Sequence, residues 1–582
     1  MSKLRLKLLL WFILLLVSIA GCFFVISQVA NLLLYFQAGA DPASALNLVP
    51  NKPAELKVEL NWLPDDPDTG RKMEPLTRTQ IESAYLRAWL QWNISYLRGE
   101  PYGLKTYFVG PALAAVTEAV ELTHLQGWSL AQTDLEHQLK LHMYSADGSI
   151  ISFTARNVRV AQIIRNYNSE QILADVIEAD YDVVMMLEDG NWRVRHWVRR
   201  ENTDPPAKVS VPYNPALFAQ VEDQQLQVDG WPFTVRGLNY YPKDTPWYDF
   251  WPAYDPEIIE HDFALMADLG LNTIRIFVPH ELQPPADQTA TKQTAEETTQ
   301  YENLRLNLKD LLDQAAEHQL KVIVTLFDFH TDYQILLWPN ANRNLEEIVP
   351  YFAEHPSILA WDLKNEPDLD QAGNTTVLVN AWLSHIAEEV RQHDPNHLIT
   401  IGWSTPAQAV QLAELVDFVS FHDYEIPATL GDRITALRLA VPDKPILLTE
   451  FGLSTWNSRL FPNGHTEHEQ AAYYAEVRRS LAATDVAGYI AWTLYDFADV
   501  PASVVGRSPW RTGPQHQFGL VRHNDEKKWA AYLLAEHSNL DIPKPSVFAR
   551  FTKPFWQTFF MLLLTLGFLS RKILHHSDLH RI

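Results

Sequence analysis

Residues 358–368, ILAWDLKNEPD, place the tightest limit on what this chain can fold into. An apolar run leads straight into a polar cluster closed by Asn365, Glu366 and Pro367. A short apolar run is how a strand buried on both faces reads, the pattern of a parallel sheet covered by helices. Residues 444–454, KPILLTEFGLS, repeat that pattern and deliver Glu450. Similar runs stand at 272–278 (NTIRIFV), 321–327 (KVIVTLF), 398–403 (LITIGW), 417–421 (DFVSF) and 487–494 (AGYIAWTL). Residues 255–269 read as an amphipathic helix between two of them. Such alternation fits a (β/α)8 barrel, in which chemistry is placed just past the C-terminal ends of the strands. Glu366 and Glu450, each at a strand end and three βα units apart, are then a candidate catalytic pair.

WDLKNEP followed by LLTEFG resembles the clan of retaining glycoside hydrolases built on (β/α)8 barrels, most of all the cellulase and mannanase type, family 5. The resemblance covers roughly residues 218–540. It implies that Glu450 is the nucleophile, Glu366 the acid/base, and Asn365 the partner of the sugar 2-hydroxyl. Arg275, in NTIRIFV, matches the arginine of the second barrel strand, whose role is to keep the nucleophile ionised. Asp328-Phe329-His330 resembles the D-aromatic-H at the third strand end of family-5 cellulases, which gives His330 a sugar-hydroxyl contact. His422 and Tyr424 belong, in the resemblance, to the network around the two glutamates, and Trp492 stands at the sugar-platform position. A hairpin at 226–237, turning at Asp229-Gly230, is expected to cap the barrel bottom and lead into the first strand, VRGLNYYP. Residues 283–299 are polar, break the pattern and read as a loop insertion.

The chemistry explains the residue types. A retaining glycosidase needs two carboxyl groups about 5–5.5 Å apart across the anomeric carbon. One must be protonated to release the leaving oxygen, and the other ionised to attack. The expected arrangement keeps Glu450 charged through Arg275 and Tyr424, while that charge raises Glu366. The bland alternative, two solvated loop carboxylates, does not account for the whole set of strand-end motifs in order.

Net charge is −24, which argues against nucleic acid as a partner. The lone cysteine, Cys22, excludes an intramolecular disulfide, and no metal site or cofactor is assigned. Residues 8–36 are almost continuously apolar behind Lys3, Arg5 and Lys7, long enough at about 1.5 Å per residue to cross a core of about 30 Å. That reads as an anchor over residues 1–37 with the N-terminus cytoplasmic and the bulk of the chain outside. Ile19-Ala20-Gly21-Cys22 also resembles a lipoprotein processing box, although the apolar run continues after it. Residues 554–570, followed by Arg571 and Lys572, read as a second span or an interfacial helix within a C-terminal segment, 546–582.

Residues 38–77 are a proline-bearing spacer that includes a strand-like AELKVELNW. Over 78–201, helices are expected near 79–96 and 111–122. Strands follow at 135–145, 150–159, 171–179, 182–187 and 192–199. Helices followed by a curved antiparallel sheet resemble the nuclear-transport-factor-2-like cone. A linker over 202–217 would then precede the barrel at 218–545. The first domain shows no acid/base pair and reads as a spacer or interaction module whose partner is unknown. The whole reads as a multidomain, membrane-anchored retaining β-glycosidase acting on a β-linked polysaccharide or oligosaccharide. An endo-β-1,4-glucanase or mannanase is the leading activity. A β-glucan transglycosylase and a silent carbohydrate-binding or assembly protein are the alternatives.

Overall fold

A computed structural model describes residues 58–166, 168–200, 218–280, 290–456, 464–506 and 508–534. The expected spans at both termini, Cys22 and the linker over 202–217 lie outside these residues. Among the described residues, no helix is long and apolar enough to cross a membrane. The chain divides into two compact units, residues 1–160 with 178–203, and residues 161–177 with 204–582.

The first unit opens with strand β1 (Glu59–Trp62) and helices α1 (Pro75–Arg98) and α2 (Gly110–Leu125). Four strands follow: β2 (Ser129–Tyr144), β3 (Ile150–Arg165), β4 (Gln171–Glu188) and β5 (Asn191–Arg200). They form one sheet in the order β1-β2-β3-β4-β5. The α1 face expected from helical spacing is the one buried, through Ile81, Tyr85, Trp89 and Tyr96. The two strands expected at 171–179 and 182–187 are one. The β4–β5 ladder runs from Glu188 back to Asp180 through one bulge between Val184 and Met185, so Asp180 and Tyr181 stay in the sheet instead of turning.

In the second unit a small sheet comes first: β6 (Gln220–Glu222), β7 (Gln225–Val228) and β8 (Trp231–Pro232). Asp229 and Gly230 both take positive φ, 54° and 75°, as a two-residue hairpin turn with right-handed strands requires. Eight parallel strands then close into a barrel: β9 (Val235–Asn239), β10 (Thr273–Pro279), β11 (Lys321–Asp328), β12 (Ile358–Asn365), β13 (Leu398–Trp403), β14 (Val419–His422), β15 (Ile446–Glu450) and β16 (Gly488–Ala491). β16 pairs with β9, so the barrel has no free edge. The apolar runs lie inside it because both faces of each strand are covered.

The barrel interior changes character along its axis. At one end Ala219, just before the small sheet, and Leu226 within it pack with Val235, Ile323, Leu447 and Ile490. This is the expected hairpin cap. Towards the strand ends the buried side chains become polar, with Asn239, Arg275, Thr325, Asp362, Thr400 and Ser420 all at 0% exposure. The outer layer includes α3 (Pro256–Asp268), α4 (Ala290–Glu317), α5 (Trp338–Phe352), the single-turn α6 (Pro367–Asp370), α7 (Thr376–His393), α8 (Leu430–Ala440) and α9 (Glu467–Ala482). Part of the expected loop insertion is therefore helix, since α4 begins at Ala290. Its Ala, Lys, Gln and Glu residues are strong helix formers, and polarity alone does not mark a loop.

Candidate active site

Arg275 organises the site from inside the barrel. Its Nε and Nη2 both donate to Asp362 Oδ2, at 3.0 and 2.6 Å. Nη1 donates to Asn239 Oδ1 at 2.9 Å, and Nη2 also to Asn365 Oδ1 at 2.8 Å. Glu450 Oε2 is farther, 3.5 Å from Nη1. The arginine thus reaches the nucleophile as expected, but its nearest counter-charge is Asp362. Asp362 also accepts from Thr325 Oγ1 at 2.9 Å and from Gly402 N at 2.9 Å, so the buried ion pair is fully bonded. Gly402 is required here, because a Cβ would stand 2.9 Å from Arg275 Nη2 and 3.1 Å from Asp362 Oδ2.

Glu366 follows β12 directly and takes left-handed φ and ψ of 46° and 50° before Pro367 starts α6. Such a conformation is costly for a residue with a side chain and recurs where a group must be aimed. Its backbone N–H donates to Gly402 O at 2.7 Å, which holds the kink. His422, at the end of β14, places Nδ1 2.8 Å from Glu366 Oε1 and 3.7 Å from Glu450 Oε2. Tyr424 Oη donates to Glu450 Oε1 at 2.5 Å. Glu366, His422 and Glu450 present ligand atoms within 4.8 Å of one another, a set that could also hold a cation. One oxygen of each carboxyl thus lies within 4.8 Å of the other, closer than the roughly 6.5–9.5 Å at which inverting enzymes hold theirs.

Burial pushes the Glu450 carboxyl up, and the Glu366 charge adds to the rise, against the pull of His422 and Arg275. Burial raises Glu366 too, but the hydrogen bond and charge of His422 outweigh it and hold that carboxyl low. These directions are the reverse of the expected ones. A doubly protonated ring would bury an Nε2–H that has no partner among the described residues. A neutral ring with its proton on Nδ1 buries no unpaired donor at Nε2. It donates to the carbonyl oxygen of a protonated Glu366, and the negative charge then rests on Glu450 beside Arg275 and Tyr424. That arrangement is the one the double displacement uses.

Asn365 has its carbonyl fixed by Arg275, which leaves its Nδ2 as the donor available to a sugar hydroxyl. Trp492, only 8% exposed, stands edge-on to Tyr241 and Phe277 at 6.4 and 6.2 Å between ring centres, and a cis peptide joins it to Thr493. His330 is brought to the same end of the barrel but not into the bonded network. It stacks on Trp382 at 4.8 Å and 18°, and burial lowers it to about 3. Its ring face is packed, while its Nε2 is buried with no partner among the described residues. Sequence reasoning missed Asp362 and Asn239 as partners of Arg275. Asp362 sits in the same motif as Glu366, four residues earlier, and period-two alternation would have pointed it inward.

A closed parallel barrel carrying a paired acid and nucleophile at its strand ends is a retaining O-glycosidase. Residues 226–498 match Cellulase (glycosyl hydrolase family 5), and through this barrel the chain belongs to that family. A mannan endo-1,4-β-mannosidase A of Podospora anserina is 27% identical over 287 residues, 41% of this chain and 74% of that protein. A putative mannan endo-1,4-β-mannosidase 9 of Oryza sativa subsp. japonica is 29% identical over 167 residues, 23% of this chain and 39% of its own length. Among solved structures, an exo-β-1,4-mannosidase from Opitutaceae bacterium strain TAV5 aligns at 19% identity with a TM-score of 0.43, over 57% of this chain and 62% of that one.

Proposed function

We propose that the protein is an endo-acting β-1,4-glycan hydrolase of the mannanase or glucanase type, tethered to a membrane with its barrel on the extracytoplasmic side. The observation that carries the catalytic half is the pair of carboxyls held within 4.8 Å around His422. In the first step Glu450 attacks the anomeric carbon while Glu366 protonates the departing oxygen. The C–O bond breaks as the Glu450–sugar ester forms. Esterification removes the charge from Glu450, which lowers Glu366, so that it now takes a proton from water as the water attacks. Retention follows from two inversions. Asn365 holds the 2-hydroxyl, a contact that tightens as the ring gains oxocarbenium character.

Mannan favours itself over glucan through the curated relatives, which are named mannosidases over the matched region. The tether is supported by residues 8–36 and their basic flank, and by the basic residues after 570. The first unit serves as a spacer or interaction module, with the nuclear-transport-factor-2-like pattern of two helices before a sheet.

The test takes the full chain against a panel of β-mannans and β-glucans, with the anomer first released followed by NMR. Retained products and internal cleavage are expected, while inverted product or no turnover refutes the reading. Protease added to intact cells should remove the barrel and spare tags at both termini. Digestion of the C-terminal tag would rule out a second span.

A further inference from the structure

The end of β11 carries a carboxyl that the double displacement does not use. Asp328 is only 7% exposed. It accepts hydrogen bonds from Tyr241 Oη and from its neighbour's backbone, Phe329 N, both at 3.1 Å. The residues on either side are left-handed, Phe327 at φ 52° and Phe329 at φ 60°. Two non-glycine residues in that region flanking one carboxyl are strain retained at a strand's catalytic end. Phe329 is half-buried and stacks with Tyr248 at 4.5 Å and 26°. Tyr248 remains 40% exposed. Tyr241 ties this corner to the reaction centre, since it lies flat on Phe277 at 5.2 Å and edge-on to Trp492.

We propose that Asp328, set in place by Tyr241, accepts a hydrogen bond from one hydroxyl of a β-linked sugar residue at the β9–β11 side of the site, and that the Tyr248–Phe329 pair is the platform on which the sugar stacks. The inference rests on the β-glycan hydrolase reading. A pyranose offers an apolar C–H face to an aromatic ring and a hydroxyl edge to a buried acceptor, and these two features meet here. Burial raises Asp328 to about 6, so at neutral pH it is an ionised acceptor short of solvent, with Arg275 and Lys364 close enough to favour its charge. Such a group discriminates between sugars, because a substrate without the matching hydroxyl leaves the carboxylate underbonded.

The experiment uses the full chain with mannotetraose and cellotetraose, and then the monodeoxy analogues of whichever is cleaved faster. Asp328→Asn should lower kcat/KM by about 10–100-fold, and Tyr248→Ala by about 10-fold, mostly through KM. One monodeoxy analogue should be penalised in the natural protein and carry no added penalty in Asp328→Asn. That interaction is what a merely structural Tyr241–Asp328 latch would not show. Should Asp328→Asn fail to fold by circular dichroism, Tyr241→Phe, which keeps the packed ring, takes its place with the same analogues. An unchanged kcat/KM, or equal deoxy penalties with and without the carboxyl, overturns the proposal while leaving the catalytic pair intact. Failure of the full chain to cleave either tetraose or any β-glycan overturns the underlying reading and this inference together.

Discussion

Tyr424 Oη lies 2.5 Å from Glu450 Oε1, although 44% of the tyrosine is exposed. The other carboxyl oxygen, Oε2, faces Arg275 at 3.5 Å and His422 at 3.7 Å. The nucleophile therefore has two unlike oxygens, one held by a neutral donor from the rim and one by a buried cation. The phenol fixes the carboxylate plane without adding charge, so Glu450 can be neutralised by the sugar without stranding a cation next to it. Arg275 keeps Asp362 throughout.

Removing the nucleophile should leave a cavity that a small anion can enter. Glu450→Ala is expected to lose at least about 10⁴-fold in kcat, and added azide should restore part of it. The rescued product is a glycosyl azide of inverted configuration, because only one displacement remains. Near-normal turnover without azide would put the nucleophile elsewhere.

Glu366→Gln removes the proton donor and keeps the shape. Substrates with sugar leaving groups should slow by about 10²–10⁴-fold, and 2,4-dinitrophenyl glycosides, which depart unassisted, far less in the glycosylation step. Equal losses on both would mean that Glu366 positions substrate and does not transfer a proton.

Arg275→Met should be damaging to the fold as well as to the reaction. Asp362 would be left charged and buried with only Thr325 and Gly402 as donors. A loss of about 3–5 kcal/mol is expected by urea denaturation, as for other broken buried pairs. Arg275→Met with Asp362→Leu should recover part of that stability and none of the activity. A single variant as stable as the natural protein would remove Arg275 from its place at the centre of the barrel.

Two neighbours at the β11 end titrate against each other. Asp328 is raised from 3.8 to about 6 by burial, so from pH 4 to 6 the folded state holds the extra proton and stability falls as pH rises. His330 is lowered from 6.5 to about 3, so over the same window the unfolded state holds the extra proton and stability rises with pH. The slopes oppose. Asp328→Asn should expose the rising slope of His330, with a gain relative to the natural protein on the order of 3 kcal/mol by pH 6. Identical pH dependence in both proteins would show that Asp328 is not displaced from its ordinary range.

The barrel and its two glutamates were legible because both depend on short-range pattern. An apolar run ending in NEP or in TEF states the strand and the residue at its end together. Residues whose meaning depends on three-dimensional neighbours were not. Asn239 reads as one polar position in VRGLNYYP, yet it joins Arg275 to Thr449 O and Ala491 O across the closed barrel. Asp328 was visible only as the first letter of a motif whose histidine drew attention. Its kinked flanks and its tyrosine partner just past β9 have no counterpart in local sequence. The start of α4 was misread for the opposite reason: its polar composition hid good helix formers.

Asn239 has a consequence for when the enzyme can first act. Its amide spans from the opening strand to the last two, so a ribosome-bound or truncated chain ending before residue 488 has no β16 to dock against β9. Such a chain already contains Arg275, Glu366 and Glu450, but the first strand that braces the arginine has no seam to close against. Hydrolysis is thus withheld from the growing polypeptide until the final strand arrives, and turnover reports on a finished barrel instead of accumulating in proportion to chain length.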